Sequence, residues 1–158
     1  MDPQRQFLRH TIATLAYRGG KAMREAPEGF ATTRVCATSR SAAEILAHIG
    51  DLLEWGVSMA KGKPVWKPAP PQAWDADVER FFNGLQGLDD FLAGEAPLAN
   101  SPEKLFQGPI ADALTHVGQL ATLRRLAGSP VRAENYFKAE IAIGRVGPDQ
   151  STKRVEFD

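Results

Sequence analysis

SAAEILAHIGDLLEW, residues 41–55, decides the fold. Ser41 and Glu44 form the Ser-x-x-Glu pattern of a capping box: the serine oxygen accepts from the Glu44 amide, and the glutamate reaches back to the serine amide. From that start Ile45, His48, Leu52 and Trp55 fall on one stripe with Ile49 and Leu53 beside it, which is helical spacing. Gly62 and Pro64 end the segment. The spacing therefore predicts an amphipathic helix whose inward stripe carries a histidine.

Outward from it, Pro and Gly cluster at 26–29, 61–71, 94–97 and 128–130, dividing the chain into four long segments and a tail. Leu8, Ile12, Leu15 and Gly19 recur at steps of three and four after Pro3, which suits a first turn, and predict a first helix from Pro3 to Arg24. Val78, Phe81, Phe82, Leu85, Leu88 and Leu92 predict a third helix, beginning after Trp74 and ending near Gly94. Pro109, Ile110, Leu114, Val117 and Ala121 predict a fourth that opens at Pro109 and stops at Gly128 and Pro130. The tail, 131–158, alternates less cleanly and is expected as a short helix or extended segment over one end of the bundle. Four long helices without an alternating strand pattern give an all-α fold, a four-helix bundle with a short irregular C-terminal extension.

The 158 residues, 43% hydrophobic, suit one domain across 1–158 with a substantial core. Nineteen Lys and Arg balance nineteen Asp and Glu, so no net field draws the molecule to nucleic acid or anionic lipid. No run approaches the roughly 20 apolar residues that span a bilayer, and Arg9, His10 and Arg18 interrupt the opening segment as a signal peptide. A cytoplasmic protein with no nucleic-acid or membrane partner is the expectation. Cys36 is the one cysteine and has no thiol to pair with; it is expected as a loop or partly buried residue.

Asp112 and His116 stand four apart on the fourth helix, so both leave one face a turn apart and can reach one ion. His48, on the apolar stripe of another helix, is the third candidate, because a buried imidazole without a partner is costly. Two imidazoles and a carboxylate suit a divalent metal ion such as Zn, Ni, Fe or Mn and leave coordination positions open. Without a metal, the same residues would form a hydrogen-bonded cluster in which the carboxylate fixes an imidazole tautomer. His10 is expected in solvent. Gln119, beyond His116, and Tyr17, on the first helix, are candidates to orient a ligand or line the cavity. Glu44 has its capping role, Asp51 is expected in solvent, and Trp55, Trp66, Trp74, Tyr136 and Phe137 are candidate pocket walls or core and dimer contacts.

The stretch around His48, together with GPIADALTHVGQLATLRRLAG at 108–128, resembles the two signature helices of the DinB-like, DNA-damage-inducible family of bacterial proteins. In that family a histidine of the second helix joins an H-x-x-x-H pair from the last bundle helix. His48 and His116 match the first and final ligands, and Asp112 stands where the pair's first histidine would be. That anion in place of a neutral donor favours harder metals or a weaker, less zinc-selective site. The resemblance implies an up-up-down-down bundle, a homodimer and, as in some members, metal-dependent transfer of a small-molecule thiol to an electrophile. The thiol would bind as thiolate; activation of water for hydrolysis is a second route. The competing expectation is a non-enzymatic homodimer that binds metal or a small ligand, or is purely structural.

Overall fold

The computed structural model describes residues 2–157 and is all-helical, with the expected four long helices. Helix α1 runs Pro3–Met23, and the Asp2 carboxylate accepts from the Gln4 amide at 3.0 Å to cap it. Helix α2, Ala42–Ala60, opens on the expected capping box: the Ser41 amide donates to Glu44 at 2.7 Å and the Glu44 amide to the Ser41 hydroxyl at 3.3 Å. Helix α3 spans Trp74–Ala93. A one-turn helix α4, Pro102–Leu105, passes through a π-turn, Phe106–Ile110, into α5, Ala111–Leu126.

This last arrangement corrects the expectation that Pro109 opens the fourth helix. Ser101 is the cap, accepting from the Lys104 amide at 3.4 Å, and Pro102 takes the first turn. Pro109 sits inside the helical run, where it has no amide to donate, and the wider π-turn accommodates it. Its ring lies against Gly56 of α2, where an added Cβ would stand 3.3 Å from the ring carbons.

The core is the set of stripes the spacing predicts: Leu8, Ile12 and Leu15 of α1, Ile45, Ile49 and Leu53 of α2, Phe81, Leu85 and Leu88 of α3, and Val117 and Leu120 of α5 are buried. Each large side chain contributes about 1.5–3 kcal/mol by leaving water. Gly19 lets α1 approach α3, since a Cβ there would come 2.5 Å from Phe81 Cζ.

Helices α1 and α2 each pack against both α3 and α5. Arg5 donates to the Gly94 carbonyl, Arg9 pairs with Asp89, and Gly19 meets Phe81, so α1 and α3 are antiparallel. Arg80 reaches the Ala47 carbonyl and Asp51, Gly84 lies on Leu53, and Gly87 on Val57, so α2 and α3 are parallel. His48 faces His116 and Gly56 faces Pro109, making α2 and α5 antiparallel.

The directions therefore run up-down-down-up rather than up-up-down-down. The cause is the Pro-rich connection 61–73, which doubles back along α2. The Val65 amide bonds the Ser58 hydroxyl at 3.0 Å, and the Ala69 amide bonds Asp51 at 3.1 Å. The chain has thus returned to the start of α2 before α3 begins.

The tail also departs from expectation. Among its described residues it is irregular apart from a short 3-10 turn at Tyr136–Lys138 and a bridge between Glu134 and Glu156. Rather than capping one end, it lies along α1: Glu134 meets Tyr17 and Lys21, and Gly144 lies beside Arg9. The Glu134 carboxylate is fully buried, accepting from the Tyr17 phenol at 2.5 Å and pairing with Lys21 at 2.6 Å. Lys21 also pairs with Glu156 at 2.8 Å. A buried carboxylate is tolerable only with such partners. No helix among the described residues is long and apolar enough to cross a membrane.

Candidate metal centre

Helix α2 presents His48 toward α5, and the four-residue step on α5 stacks Asp112 under His116 on the facing side. One ligand atom from each of the three lies within 4.8 Å of those from the other two. His116 Nε2 stands 3.4 Å from one Asp112 oxygen, and His48 Nε2 stands 3.9 Å from the other. The imidazole rings are 4.8 Å apart and nearly perpendicular. Side-chain exposure falls from 48% at Asp112 to 17% at His48 and 11% at His116, so the cluster has a histidine floor and an acidic mouth.

The second nitrogen of His116, Nδ1, lies 2.8 Å from Oε1 of the Gln119 side chain. With that oxygen accepting, Nδ1 carries the proton and Nε2 turns a free lone pair toward Asp112 and His48, the arrangement a metal-ligating histidine needs. Helical spacing places Gln119 one turn beyond His116, which is why the sequence suggested it.

His48 titrates below the ordinary histidine range. Burial disfavours its charged form first, and the nearby Arg40 guanidinium and His116 act the same way, while Asp112 and Asp51 oppose them. A neutral imidazole, the form that donates to a metal, therefore persists to lower pH.

Trp66, carried by the connection 61–73, stands edge-on to His48 at 5.8 Å between ring centroids, with Trp55 behind it at the same distance. Of the five candidate aromatics, Trp66 borders the site and Trp55 backs it. Trp74 instead packs on Phe30 at 5.2 Å, Tyr136 on Tyr17 at 6.3 Å, and Phe137 points into solvent.

Other expectations fail for identifiable reasons. The Tyr17 phenol belongs to the tail, not to the site: it donates to Glu134, and burial first, with that hydrogen bond second, holds its pKa well above the usual range. Asp51 is buried rather than solvated, held by Arg80 at 2.7 Å and by the Ala69 amide. As expected, by contrast, Glu44 serves the cap, His10 is exposed, and Cys36 is exposed in the loop before α2.

The sequence reasoning missed Arg40. It precedes the capping box, outside any periodic stripe, and only the packing of the loop 33–40 beside α5 brings it near the histidines.

No family model matches the sequence, and no match was found among the curated proteins or the solved structures.

Proposed function

We propose that the protein binds one divalent metal ion through His48, Asp112 and His116 and uses its open positions to act with a low-molecular-weight thiol, in the manner of the DinB-like proteins its two signature stretches resemble. The observation that carries this reading is the convergence of three donor atoms within 4.8 Å on two helices. Ligands at about 2.0–2.2 Å from a tetrahedral ion stand about 3.3–3.6 Å apart. The His116–Asp112 separation of 3.4 Å already matches, and small side-chain rotations would close the remaining gaps.

The same separations disfavour a metal-free hydrogen-bonded cluster. His48 Nε2, at 3.9 Å, is beyond hydrogen-bond reach of the carboxylate, and His116 Nε2, at 3.4 Å, stands farther from it than a normal N–H···O bond. Gln119, by contrast, is at full hydrogen-bond distance on the nitrogen facing away from the cluster. A donor set of two neutral imidazoles and one carboxylate suits Zn, Ni, Fe or Mn.

A bound divalent ion supplies a Lewis acid that lowers the pKa of a coordinated thiol or water. The chain's own contribution is to hold His48 neutral, fix the His116 tautomer and shield one side with Trp66. Asp112, half exposed, faces the mouth through which a thiol would enter.

The test is metal content by elemental mass spectrometry on the full chain after loading with Zn, Ni, Mn or Fe. About one ion per chain is expected, with loss in His48→Ala, Asp112→Ala and His116→Ala variants that retain helicity. A parent that takes up no metal, or a folded His116→Ala variant that keeps its full complement, refutes the assignment.

A further inference from the structure

Two clefts flank the three candidate ligands. One, of about 490 Å³, opens beside His116 and has Val35, Ile45 and Leu123 among its walls. The other, of about 400 Å³, opens beside His48 and runs under Trp66 and Pro68. Arg40 lines both.

Its guanidinium is exposed and makes no hydrogen bond or ion pair among the described residues. The acidic groups around it are engaged elsewhere. Glu44 is turned into the cap of α2 and toward Arg34 at 3.5 Å, and Asp51 is committed to Arg80 and the Ala69 amide. Asp112 would belong to the ion. With a divalent ion in place, two imidazoles and one carboxylate leave positive charge uncompensated, and Arg40 adds to it. The local field would then favour an anion over a neutral molecule of the same shape.

We propose that Arg40 is a specificity-determining residue: it binds the carboxylate of a small substrate whose other polar end reaches the metal site and whose apolar body lies along Ile45 and Leu123. This deepens the metal-and-thiol reading above and rests on it. The chemistry follows from the fork of donors on a guanidinium, which matches a carboxylate with two parallel hydrogen bonds; a lysine at this position would offer a point charge without that match. Of the basic residues, Arg80 is spent on Asp51 and Glu54, Arg9 on Asp89, and Arg124 on the Ala22 and Arg24 carbonyls. Arg40 is the cation that lines both clefts, and although Glu44 feels its charge, no protein group among the described residues hydrogen-bonds its guanidinium.

The experiment uses the full chain loaded with cobalt and two probes that differ only in charge at the far end, β-mercaptopropionate and its methyl ester. Binding is read from the thiolate-to-cobalt absorption band, and cobalt content is measured in parallel. The acid is expected to bind about tenfold more tightly than the ester. Arg40→Ala should abolish that preference while leaving ester affinity and cobalt content unchanged, and Arg40→Lys should restore part of it.

Equal affinities for acid and ester in the parent overturn the proposal. So does a preference that survives in Arg40→Ala, because the carboxylate would then be chelating the metal itself. A chain that takes up no cobalt, or takes it up but shows no thiolate band with either probe, overturns the metal-and-thiol reading and this subsite with it. Cobalt uptake with a thiolate band but no charge preference overturns the subsite alone.

Discussion

Replacing Gln119 with leucine should weaken metal binding about tenfold without unfolding the protein. The Gln119 carbonyl accepts from His116 Nδ1 at 2.8 Å and so keeps the lone pair of Nε2 turned toward Asp112 and His48. Leucine has similar volume and no acceptor. In the variant nothing holds the proton on Nδ1, and the tautomer with the proton on Nε2 gains the Asp112 oxygen, 3.4 Å away, as its nearest partner. That proton must leave before an ion can bind. Removing such supporting contacts costs between about 10-fold and 100-fold in affinity. Gln119 is exposed, so water can partly replace its carbonyl, which places the effect at the lower end, about 1.4 kcal/mol. The assay is competitive titration of zinc against a chromophoric chelator, with thermal unfolding of the metal-free proteins as a control. Gln119→Glu should bind as tightly as the parent or more so, because a carboxylate accepts the same proton and makes the imidazole more basic. The reasoning fails if Gln119→Leu keeps parental affinity, or if Gln119→Glu is as weak as Gln119→Leu.

Other perturbations probe the parts of the fold that hold the site. Because folding lowers the His48 pKa, the unfolded chain binds more protons between that lowered value and about 6.5, so the metal-free protein should lose stability as pH falls through this window; urea unfolding across the window should show the slope in the parent and a reduced one in His48→Gln. Glu134→Ala should cost about 2–3 kcal/mol, since it leaves the Tyr17 hydroxyl without its acceptor and Lys21 with Glu156 alone. Glu134→Gln, which still accepts from Tyr17, should cost less, and equal losses for the two in urea unfolding would dismiss the phenol contact as a contributor. Gly19→Ala should destabilise by about 1–2 kcal/mol, as crowding against Phe81 outweighs the gain in helix propensity. Gly118→Ala, where an added Cβ meets nothing, should stabilise by about 0.5–1 kcal/mol, and thermal melts reporting the same sign for both glycines would contradict the packing described.

The helices were legible because their signals are local. The Ser41–Glu44 box, the apolar stripes and the stops at Gly62 and Gly128 each lie within a few residues, and the site residues on α5 are joined by one helical step. Helix direction was not legible, because it depends on where the connection 61–73 travels, and that is set by contacts such as the Ala69 amide on Asp51. The tail failed for the same reason. Glu134 finds Lys21 and Tyr17 across more than a hundred residues, and no periodicity connects them. Pro109 misled because a proline early in an apolar-periodic run reads equally as a helix start or as an interruption that a π-turn absorbs.

The returning connection links the up-down-down-up order to the site. Had α3 followed α2 through a tight turn, the two would be antiparallel, and no strand of chain would run along α2 past His48. The Pro-rich segment instead travels that length in extended form, held at Ser58 and Asp51, and carries Trp66 to the edge of the His48 ring. Asp51 is therefore a structural hinge of the site although it touches no candidate ligand. It accepts from Arg80 of α3 on one side and from the connection on the other, so one buried carboxylate sets both the pairing of α2 with α3 and the path of the segment that shields His48. The cation paired with Asp51, Arg80, is in turn held by Glu54 and by the carbonyl of Ala47, the residue before His48. The backbone that aims the histidine and the loop that covers it are thus braced by the same ion pair.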